Sequence, residues 1–322
     1  MNRSRRTCCS TLLLFTIIGL APSAWGWGCR GHQVVAVIAE KHLNPHARDM
    51  VAQILAAGPI DPALRRFCGA NTLDAFADSS TWADDQRSIQ PNTAGWHYID
   101  IPRGVAKGDI APYCPPSTSC ITSAIDDQMA ILRNSNASAQ ARADALRYVI
   151  HFFGDLHQPL HATSNNDLGG NCVPVSFFGA APQEKNVVKE SYAPNLHGIW
   201  DTDILERFAD GQTPQQFADE MGLRFKARIP AWLRERIDVV SWAWESHQIA
   251  EDSVYGALPT KVAIETPVEV KACSDDQHIS TRMLDLHEQI GADYQAAAEG
   301  VIQEQLTKAG IRLAAALNAV WQ

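Results

Sequence analysis

Apolar residues recur at intervals of three and four positions through most of the chain after residue 27, and this spacing restricts the fold more than any other feature. It places apolar side chains on one face of an α-helix. The clearest examples are HQVVAVIAEKHL (32–43), ARDMVAQILAAG (47–58), ARADALRYVIHFFGDLH (141–157, before Pro159), and the stretches 214–233 and 292–321. The pattern predicts a single, mainly helical all-α domain.

Strand-like and loop-like segments are fewer. The best strand candidates are NVVK (186–189) and PTKVAIETPVEV (259–270). The segments 101–120 and 162–192 are rich in Pro, Gly, Asn and Ser, which predicts long irregular loops of the kind that carry function. No stretch has the composition of a linker between domains.

The N-terminus has the features of an export signal. MNRSRR is positively charged, TLLLFTIIGL is an apolar core too short to span a membrane, and small residues follow. We predict a removable signal peptide over residues 1–26 and an exported mature chain, periplasmic or secreted, without a membrane anchor. Ala24 and Gly26 fit the small-residue positions before a cut at Trp27. A cut after Ala24 fits less well because it places Pro22 three positions before the cut, and from the residues alone both remain open.

The charge of the chain excludes a general polyanion binder that relies on Lys and Arg. The formal net charge is −9, and removing the three arginines of the signal peptide makes it −12. A strongly acidic surface repels nucleic acid. Any nucleic-acid function therefore needs positive charge from another source.

Six cysteines remain in the mature chain, and an even number in an exported protein favours disulfides. The short loop CPPSTSC predicts a bridge between Cys114 and Cys120. The spacing of the others leaves their pairing open. Paired CxxC units are absent from the sequence, which argues against a zinc site made of thiolates.

The densest chemical stretch is HFFGDLHQPLH (151–161), in which His151 and Asp155 are four residues apart and face the same side of a helix. The same spacing recurs in NLHGIWD (195–201) with His197 and Asp201. Imidazole and carboxylate together are ligands for zinc or similar ions. With His161 and the earlier Asp84 and His97, the set exceeds what a single zinc requires, so several metals are predicted. We assign no metal to His42, His46, His157, His247, His278 and His287.

Six motifs in fixed order carry a resemblance to a known family. They are WGCRGH (27–32), WADDQR (82–87), HYID (97–100), HFFGDLHQPLH (151–161), GGN (169–171) and NLHGIWD (195–201). Together they resemble the S1/P1 nucleases, zinc-dependent enzymes that cut single-stranded nucleic acid. The resemblance implies the helical fold shared by phospholipase C and P1 nuclease. It also implies a mature chain that begins with tryptophan, because the spacing from Trp27 to His32 matches the family.

The resemblance implies three Zn²⁺ ions. The first would be held by Asp84, His97, His151 and Asp155, the second by Trp27, His32 and the shared Asp155, and the third by His161, His197 and Asp201. With three aspartates and one bound hydroxide, three Zn²⁺ would leave the site at about +2. An acidic protein would thereby present a local attraction for phosphate.

The resemblance also assigns substrate contacts. Arg87 would stabilise charge on the reacting phosphate, and Asp155 would be central to catalysis as the shared ligand. A base would stack on Tyr98, opposite Leu168, and contact Asp100, Gly169 and Asn171. Only unpaired bases can do so, which supports a preference for single strands. The resemblance further implies hydrolysis of single-stranded DNA and RNA to 5′-phosphorylated products and removal of 3′-phosphate from mononucleotides. The sequence departs from the residues common in fungal members at Tyr98, Leu168 and His157. We predict that the protein is a monomer.

Two other functions compete with a nuclease. Zinc-dependent phospholipase C resembles this family in its metals and also begins with tryptophan, but GGN and HYID favour a nucleotide. A non-catalytic exported zinc-binding protein would leave the third metal and Arg87 without a purpose.

Overall fold

The computed structural model describes residues 27–69, 74–115, 119–275 and 290–321. The predicted signal peptide, residues 1–26, lies outside these residues, as do His278 and His287. The boundaries of the mature domain therefore stay a prediction.

The described chain is mainly helical, and the all-α prediction is confirmed. The α-helices are α1 (Cys29–His42), α2 (Pro45–Ala57), α3 (Ala75–Ser79), α4 (Trp82–Arg87), α5 (Ile121–Arg133), α6 (Ala139–Leu156), α7 (Leu196–Gly198), α8 (Ile204–Ala209), α9 (Pro214–Arg224), α10 (Ile229–Trp232), α11 (Val239–Ile249) and α12 (Ala292–Val320). π-helical turns at Ile199–Asp203 and Ala250–Tyr255 join α7 to α8 and extend α11. Short 3₁₀ turns include Pro91–His97 and Pro159–Ala162.

Local sequence signals fix where several helices begin. The side chain of Asn44 accepts a hydrogen bond from the backbone N–H of Ala47, with proline at the first position of α2. Ser138 caps α6 in the same way, and Thr213 and Gln216 form a capping box at the start of α9. Each cap satisfies backbone N–H groups that a helix start leaves without an intrahelical partner.

The helix α6 lies at the centre of the fold, packed by α1, α2, α5 and α12. From residue 145 to its end at Leu156 every residue is buried, so His151 and Asp155 lie inside the protein. A buried carboxylate needs a compensating charge or hydrogen bonds, because desolvation of an isolated charge costs several kcal/mol. In the described part of the chain, no helix has the length and apolar character needed to span a bilayer.

The strand predictions are only partly right. The described residues contain the strands β1 (Gln183–Asn186) and β2 (Ser191–Ala193), which pair antiparallel. Residues 187–189 of the predicted strand form a 3₁₀ turn. The predicted strand at 259–270 is wrong. Its backbone is instead paired by amide side chains, since Asn165 and Asn166 bond Ala263 O, Glu265 N, Thr266 O and Val268 N.

Three disulfides form in the described chain. The predicted bridge between Cys114 and Cys120 is present, and the pairings that the sequence left open are Cys29–Cys68 and Cys172–Cys273. The last two join segments 39 and 101 residues apart. Cross-links over such distances restrict the unfolded chain, which stabilises the native state.

Gly310 sits where α12 crosses α1, and we expect Gly310→Ala to destabilise the protein. An added Cβ would lie 2.6 Å from Ile38 Cβ and 2.8 Å from Val35 O. Overpacking of this kind costs about 1–3 kcal/mol, more than alanine gains in helix propensity. Gly300→Ala is the matched control, because it lies in the same helix with nothing within 4 Å of the added Cβ. Thermal unfolding should show a lower Tm than wild type for Gly310→Ala and an equal or higher Tm for Gly300→Ala. A wild-type Tm in Gly310→Ala would contradict close packing at this position.

Candidate metal centre

Asp155 is the meeting point of two groups of potential metal ligands. Its Oδ1 lies 3.3 Å from His32 Nε2, whereas its Oδ2 lies 2.9 Å from His97 Nδ1 and 3.0 Å from His151 Nε2. Asp84 Oδ1 lies 3.6 Å from His97 Nδ1 and 3.7 Å from His151 Nε2. Each carboxylate oxygen of Asp155 therefore faces a different set of imidazoles, as a carboxylate shared by two ions must.

A third group lies beside the first two. His197 Nε2 is 3.1 Å from Asp201 Oδ2, and His161 Nε2 is 4.0 Å from Asp201 Oδ1. His161 Nδ1 is also 3.7 Å from Asp155 Oδ1, which places the third group next to the shared carboxylate. Among the described residues, His32, His151 and Asp155, then Asp84, His97 and His151, and then His161, His197 and Asp201 each present ligand atoms within 4.8 Å of one another.

The local sequence explains how a helix and two turns supply these groups. Spacing by four residues puts His151 above Asp155 in α6 and puts His197 above Asp201. Pro159 follows the end of α6, and the 3₁₀ turn after it carries His161 back to the centre. Gly154 leaves room for His32, because a Cβ there would lie 2.8 Å from His32 Nδ1.

Backbone carbonyls orient three of the histidines. The Nδ1–H of His151 donates to Ser80 O at 2.6 Å, that of His161 to His97 O at 2.8 Å, and that of His197 to Gly169 O at 2.6 Å. Each bond holds a proton on Nδ1 and turns Nε2 towards the carboxylates of the centre. Metal-ligating histidines are held in this way by the protein around them.

Several buried polar atoms in these groups have no hydrogen-bond partner within the described chain. Within the described chain, buried atoms without a hydrogen bond include His32 Nε2, His97 Nε2, His161 Nε2, Asp155 Oδ1 and Asp201 Oδ2. Buried polar atoms are almost always hydrogen-bonded in proteins, so several exceptions at one place need an explanation. Metal ligation would satisfy His32, His161 and both carboxylates, and the donor set of imidazole and carboxylate fits zinc.

The titration of the cluster is also perturbed. Burial lowers the pKa of His97 to about 3, so its imidazole is neutral and able to bind a metal. Burial also opposes charge on His151, but Asp155 and Asp84 outweigh it and raise its pKa to about 9. Burial alone would raise the pKa of Asp155, yet His151 and His161 hold it well below its usual range. The buried carboxylates are thus balanced by positive charge on histidine. A bound divalent cation would supply the same kind of compensation.

Trp27 lies at this centre and is fully buried. The adjoining Gly28 donates its N–H to Asp201 O at 2.7 Å, which ties the start of the described chain to the third group. At Gly154, an added Cβ would lie 3.8 Å from Trp27 Cδ1 as well as close to His32. The side chain of Trp27 therefore packs beside Gly154, the residue before Asp155.

Arg87 is the cation nearest Asp84 on the same short helix. Its Nη1 lies 3.5 Å from Asp84 Oδ1, and about a quarter of its side chain remains exposed. The neighbouring Asp85 is not one of the metal-ligand candidates and pairs with Arg66 at 2.5 Å. Arg87 can thus reach an anion at the mouth of the metal centre.

Comparison with known proteins agrees with this geometry. A model of the S1/P1 nuclease family matches residues 27–322. The chain belongs to the S1/P1 nuclease family. It is 26% identical to nuclease S1 of Aspergillus oryzae over 314 residues, which is 94% of each chain. It is 30% identical to nuclease P1 of Penicillium citrinum over 58% of this chain and 60% of that protein, and 25% identical to endonuclease 2 of Arabidopsis thaliana over 94% and 92%. A nuclease is therefore the activity that its relatives support.

The residues that the S1/P1 resemblance assigns to base binding lie on adjoining segments. Residues 98–103 run beside 161–164, with Ile99 N bonded to His161 O at 2.8 Å and Ser164 N to Ile101 O at 3.0 Å. Tyr98 is 41% exposed. Burial and the charge of Asp167 raise the pKa of Asp100 to about 6. The backbone of this segment therefore lies beside His161, and Asp100 is close enough to His197 for the two charges to interact.

The opposite side of this region is a strained loop. Leu168 has φ +54° and Gly169 φ +62°, and a Cβ at Gly169 would lie 2.5 Å from Leu160 O. Glycine is needed there because both the space and the left-handed backbone exclude a side chain. Asn171 Nδ2 donates to Leu168 O at 2.8 Å, which stabilises the turn.

Asp167 stabilises this loop through hydrogen bonds, a role that the sequence did not reveal. Its Oδ1 accepts hydrogen bonds from the N–H groups of Asn165 and Gly170, each at 3.0 Å, and its Oδ2 accepts from Tyr255 OH at 2.8 Å. The loop then presents Gly169 O to His197. Only the fold brings Tyr255 here, 88 residues along the chain.

Gln158 and His157 were also left without roles in the sequence. Gln158 donates from Nε2 to Asp201 Oδ1 and thus orients a metal-ligand candidate. His157 is buried elsewhere in the core, where its Nδ1–H donates to Phe153 O at 2.7 Å and its Nε2 accepts from Arg312 at 2.9 Å. Burial, with Arg312, lowers the pKa of His157 to about 3, so its role is to join α6 to α12 as a neutral group.

Proposed function

We propose that the mature protein is an exported, zinc-dependent nuclease that hydrolyses single-stranded DNA and RNA to 5′-phosphorylated products and removes 3′-phosphate from mononucleotides. The observation that carries this proposal is the position of Asp155, which offers one oxygen to each of two histidine groups with a third group alongside. Membership of the S1/P1 family supports nuclease chemistry at such a centre.

In this proposal, three Zn²⁺ ions are held by the residues described above. Asp84, His97, His151 and Asp155 would hold one ion, Trp27, His32 and Asp155 would hold a second, and His161, His197 and Asp201 would hold the third. Bound zinc polarises phosphate oxygens and lowers the pKa of water to about 7. The protein supplies buried imidazoles oriented by backbone carbonyls and a carboxylate that two ions would share.

Arg87 has the position to stabilise a phosphate during hydrolysis. Its guanidinium is held near Asp84 and remains partly exposed, so it can donate hydrogen bonds to phosphate oxygens as their negative charge increases. A donor that acts on the transition state contributes to kcat more than to substrate binding.

We expect Arg87→Ala to lower kcat by about 10² to 10³ with a smaller change in KM. Zinc content should stay the same, because Arg87 is not a metal ligand. Steady-state kinetics on single-stranded DNA with metal analysis of the same samples measures both quantities. Wild-type kinetics in the variant would show that Arg87 forms only a surface ion pair and does not contribute to catalysis.

The base of a bound nucleotide would stack on Tyr98 opposite Leu168 and contact Asp100, Gly169 and Asn171. The exposure of Tyr98 and the position of its segment beside His161 support this assignment. Stacking needs an unpaired base, which explains a preference for single strands.

We expect Tyr98→Ala to weaken substrates that carry a base by roughly 1–3 kcal/mol. Hydrolysis of a small phosphodiester without a base should change much less. The kcat/KM values for the two substrates, measured on one preparation, distinguish the loss of base binding from a general loss of activity. Equal losses on both substrates would place the slot elsewhere.

The N-terminal features support export. In the proposal, cleavage before Trp27 releases the α-amine that binds the second zinc, and the family match that starts at residue 27 agrees with that boundary. The three disulfides suit an oxidising compartment. The mature protein would be an unanchored monomer.

The experiment that tests the function compares substrates on the purified mature protein. Single-stranded DNA, RNA and a 3′-mononucleotide should be hydrolysed, and a chelator should stop all three reactions. Phosphatidylcholine vesicles should not be hydrolysed. Cleavage of phosphatidylcholine alone would support a phospholipase C, and zinc binding without any hydrolysis would support a non-catalytic zinc-binding protein.

A further inference from the structure

A surface loop, residues 61–69, is fastened to the elements that carry the metal-ligand candidates. Cys68 is bonded to Cys29, in the first turn of α1 and two residues after Trp27. The two Cα atoms are 5.5 Å apart. The loop therefore holds a fixed position beside the start of the mature chain.

A second attachment joins the same loop to α4. The backbone N–H of Phe67 donates to Asp85 Oδ1 at 3.0 Å, and Arg66 pairs with Asp85 Oδ2 at 2.5 Å. Because Asp85 follows Asp84 directly, the backbone of Phe67 lies within about 10 Å of the Asp84 Cα atom. This distance is short enough for a nucleotide chain that leaves the metal centre to reach it.

The loop presents an aromatic ring and a guanidinium to solvent. Phe67 is 43% exposed, and the guanidinium carbon of Arg65 lies 5.1 Å from the centre of its ring. While Arg66 is turned towards Asp85, Arg65 is an exposed residue. An exposed ring offers a stacking face, and an adjacent guanidinium offers both charge and a second planar surface.

Other exposed apolar side chains lie on the segments that flank the same centre. Ile89, 63% exposed, follows Arg87 by two residues, and Tyr98, 41% exposed, follows His97 directly. Phe67 precedes α4 in the sequence, whereas Ile89 and Tyr98 follow it, and the backbone of Phe67 is hydrogen-bonded to Asp85 of that helix. Apolar surface and arginine thus occur together around the metal centre of a chain whose net charge is −9.

We propose that Phe67 and Arg65 form a second base-stacking site, which binds a nucleotide of a single-stranded substrate beyond the one held at the metal centre. This inference rests on the proposed nuclease function. Phe67 stacks on an unpaired base and Arg65 contacts an adjacent phosphate. One ring with one guanidinium matches a nucleotide, whereas a protein partner requires a larger apolar patch.

The test compares long and short substrates in Phe67→Ala and Arg65→Ala. For a 12-nucleotide single strand we expect KM to rise about 5-fold or more in Phe67→Ala, the lower end of a stacking contribution, with kcat unchanged. For a dinucleotide, KM should not change. Phe67→Trp should retain the wild-type KM, and Arg65→Ala should weaken the dependence of the 12-nucleotide KM on salt.

Leu223→Ala is the matched control, because it removes an apolar side chain that is 76% exposed on α9. It should leave both substrates unaffected. Unchanged KM for the long strand in both Phe67→Ala and Arg65→Ala would overturn the second site. Equal losses on the dinucleotide would overturn it as well, since Phe67 would then act at the metal centre.

A binding measurement separates this inference from the proposed function. The fluorescence anisotropy of a labelled, uncleavable phosphorothioate oligothymidylate reports binding without hydrolysis. Weaker binding by Phe67→Ala in a protein that cleaves no nucleic acid would support the stacking site and contradict the nuclease. Equal binding by wild type and Phe67→Ala, in a protein that does cleave single strands, would contradict the stacking site alone.

Discussion

Asp155→Asn should lose zinc and at least about 100-fold in activity on single-stranded DNA. Even residues that only support metal ligands cost about 10- to 100-fold when they are changed, and Asp155 faces two groups of ligands directly. An amide keeps the shape of the side chain but cannot replace its charge or serve two ions. Metal analysis should find fewer zinc ions per chain than in wild type.

The matched control for this change is Asp127→Asn, an identical substitution at an exposed position of α5. It should keep the wild-type zinc content and rate. Circular dichroism of Asp155→Asn separates loss of metal from loss of fold. Full zinc content with full activity in Asp155→Asn would remove the shared ligand from the mechanism.

A chain extended before Trp27 should lose one zinc and at least about tenfold in activity. A free α-amine has a reference pKa of about 7.7 to 8.0 and binds zinc once it is deprotonated, whereas an extended chain offers an amide at that position. Trp27 is fully buried, and the N–H of Gly28 donates to Asp201 O, so this end of the described chain has a fixed position beside the third group.

Two extended forms test this prediction: one that begins at Trp25, and one that keeps a methionine before Trp27. Mass spectrometry identifies the first residue, and zinc and activity are measured on the same samples. A tag added after Gln322 is the control and should leave both unchanged. Three zinc ions and full activity in a verified extended form would contradict the role of the Trp27 amine.

Much of the fold could be predicted from the sequence because helices are encoded locally. The apolar spacing of 141–157 and the stop at Pro159 correspond to α6, which ends at Leu156. The segment 259–270 was misassigned because its β-branched residues suit an extended backbone, and only the fold shows that Asn165 and Asn166, rather than a strand, pair with it.

The candidate site divides in a similar way. Spacing by four residues identified His151 with Asp155 and His197 with Asp201, since a helix brings such pairs together. Contacts between distant segments had no local signal: Asp167 meets Tyr255 through the fold, and the Cys29–Cys68 bridge had no distinguishing spacing. Asp84 was identified together with His97 from the residues alone, and the pairing of Asp85 with Arg66 explains why the neighbouring carboxylate does not join the cluster.

The most direct test is a zinc titration of the chelated mature protein, with bound zinc counted by mass spectrometry and cleavage of single-stranded DNA and RNA measured at each step. We predict three zinc ions per chain, with activity that returns as they bind. Full activity without bound zinc, or three bound zinc ions without cleavage of either nucleic acid, would contradict a trinuclear zinc nuclease.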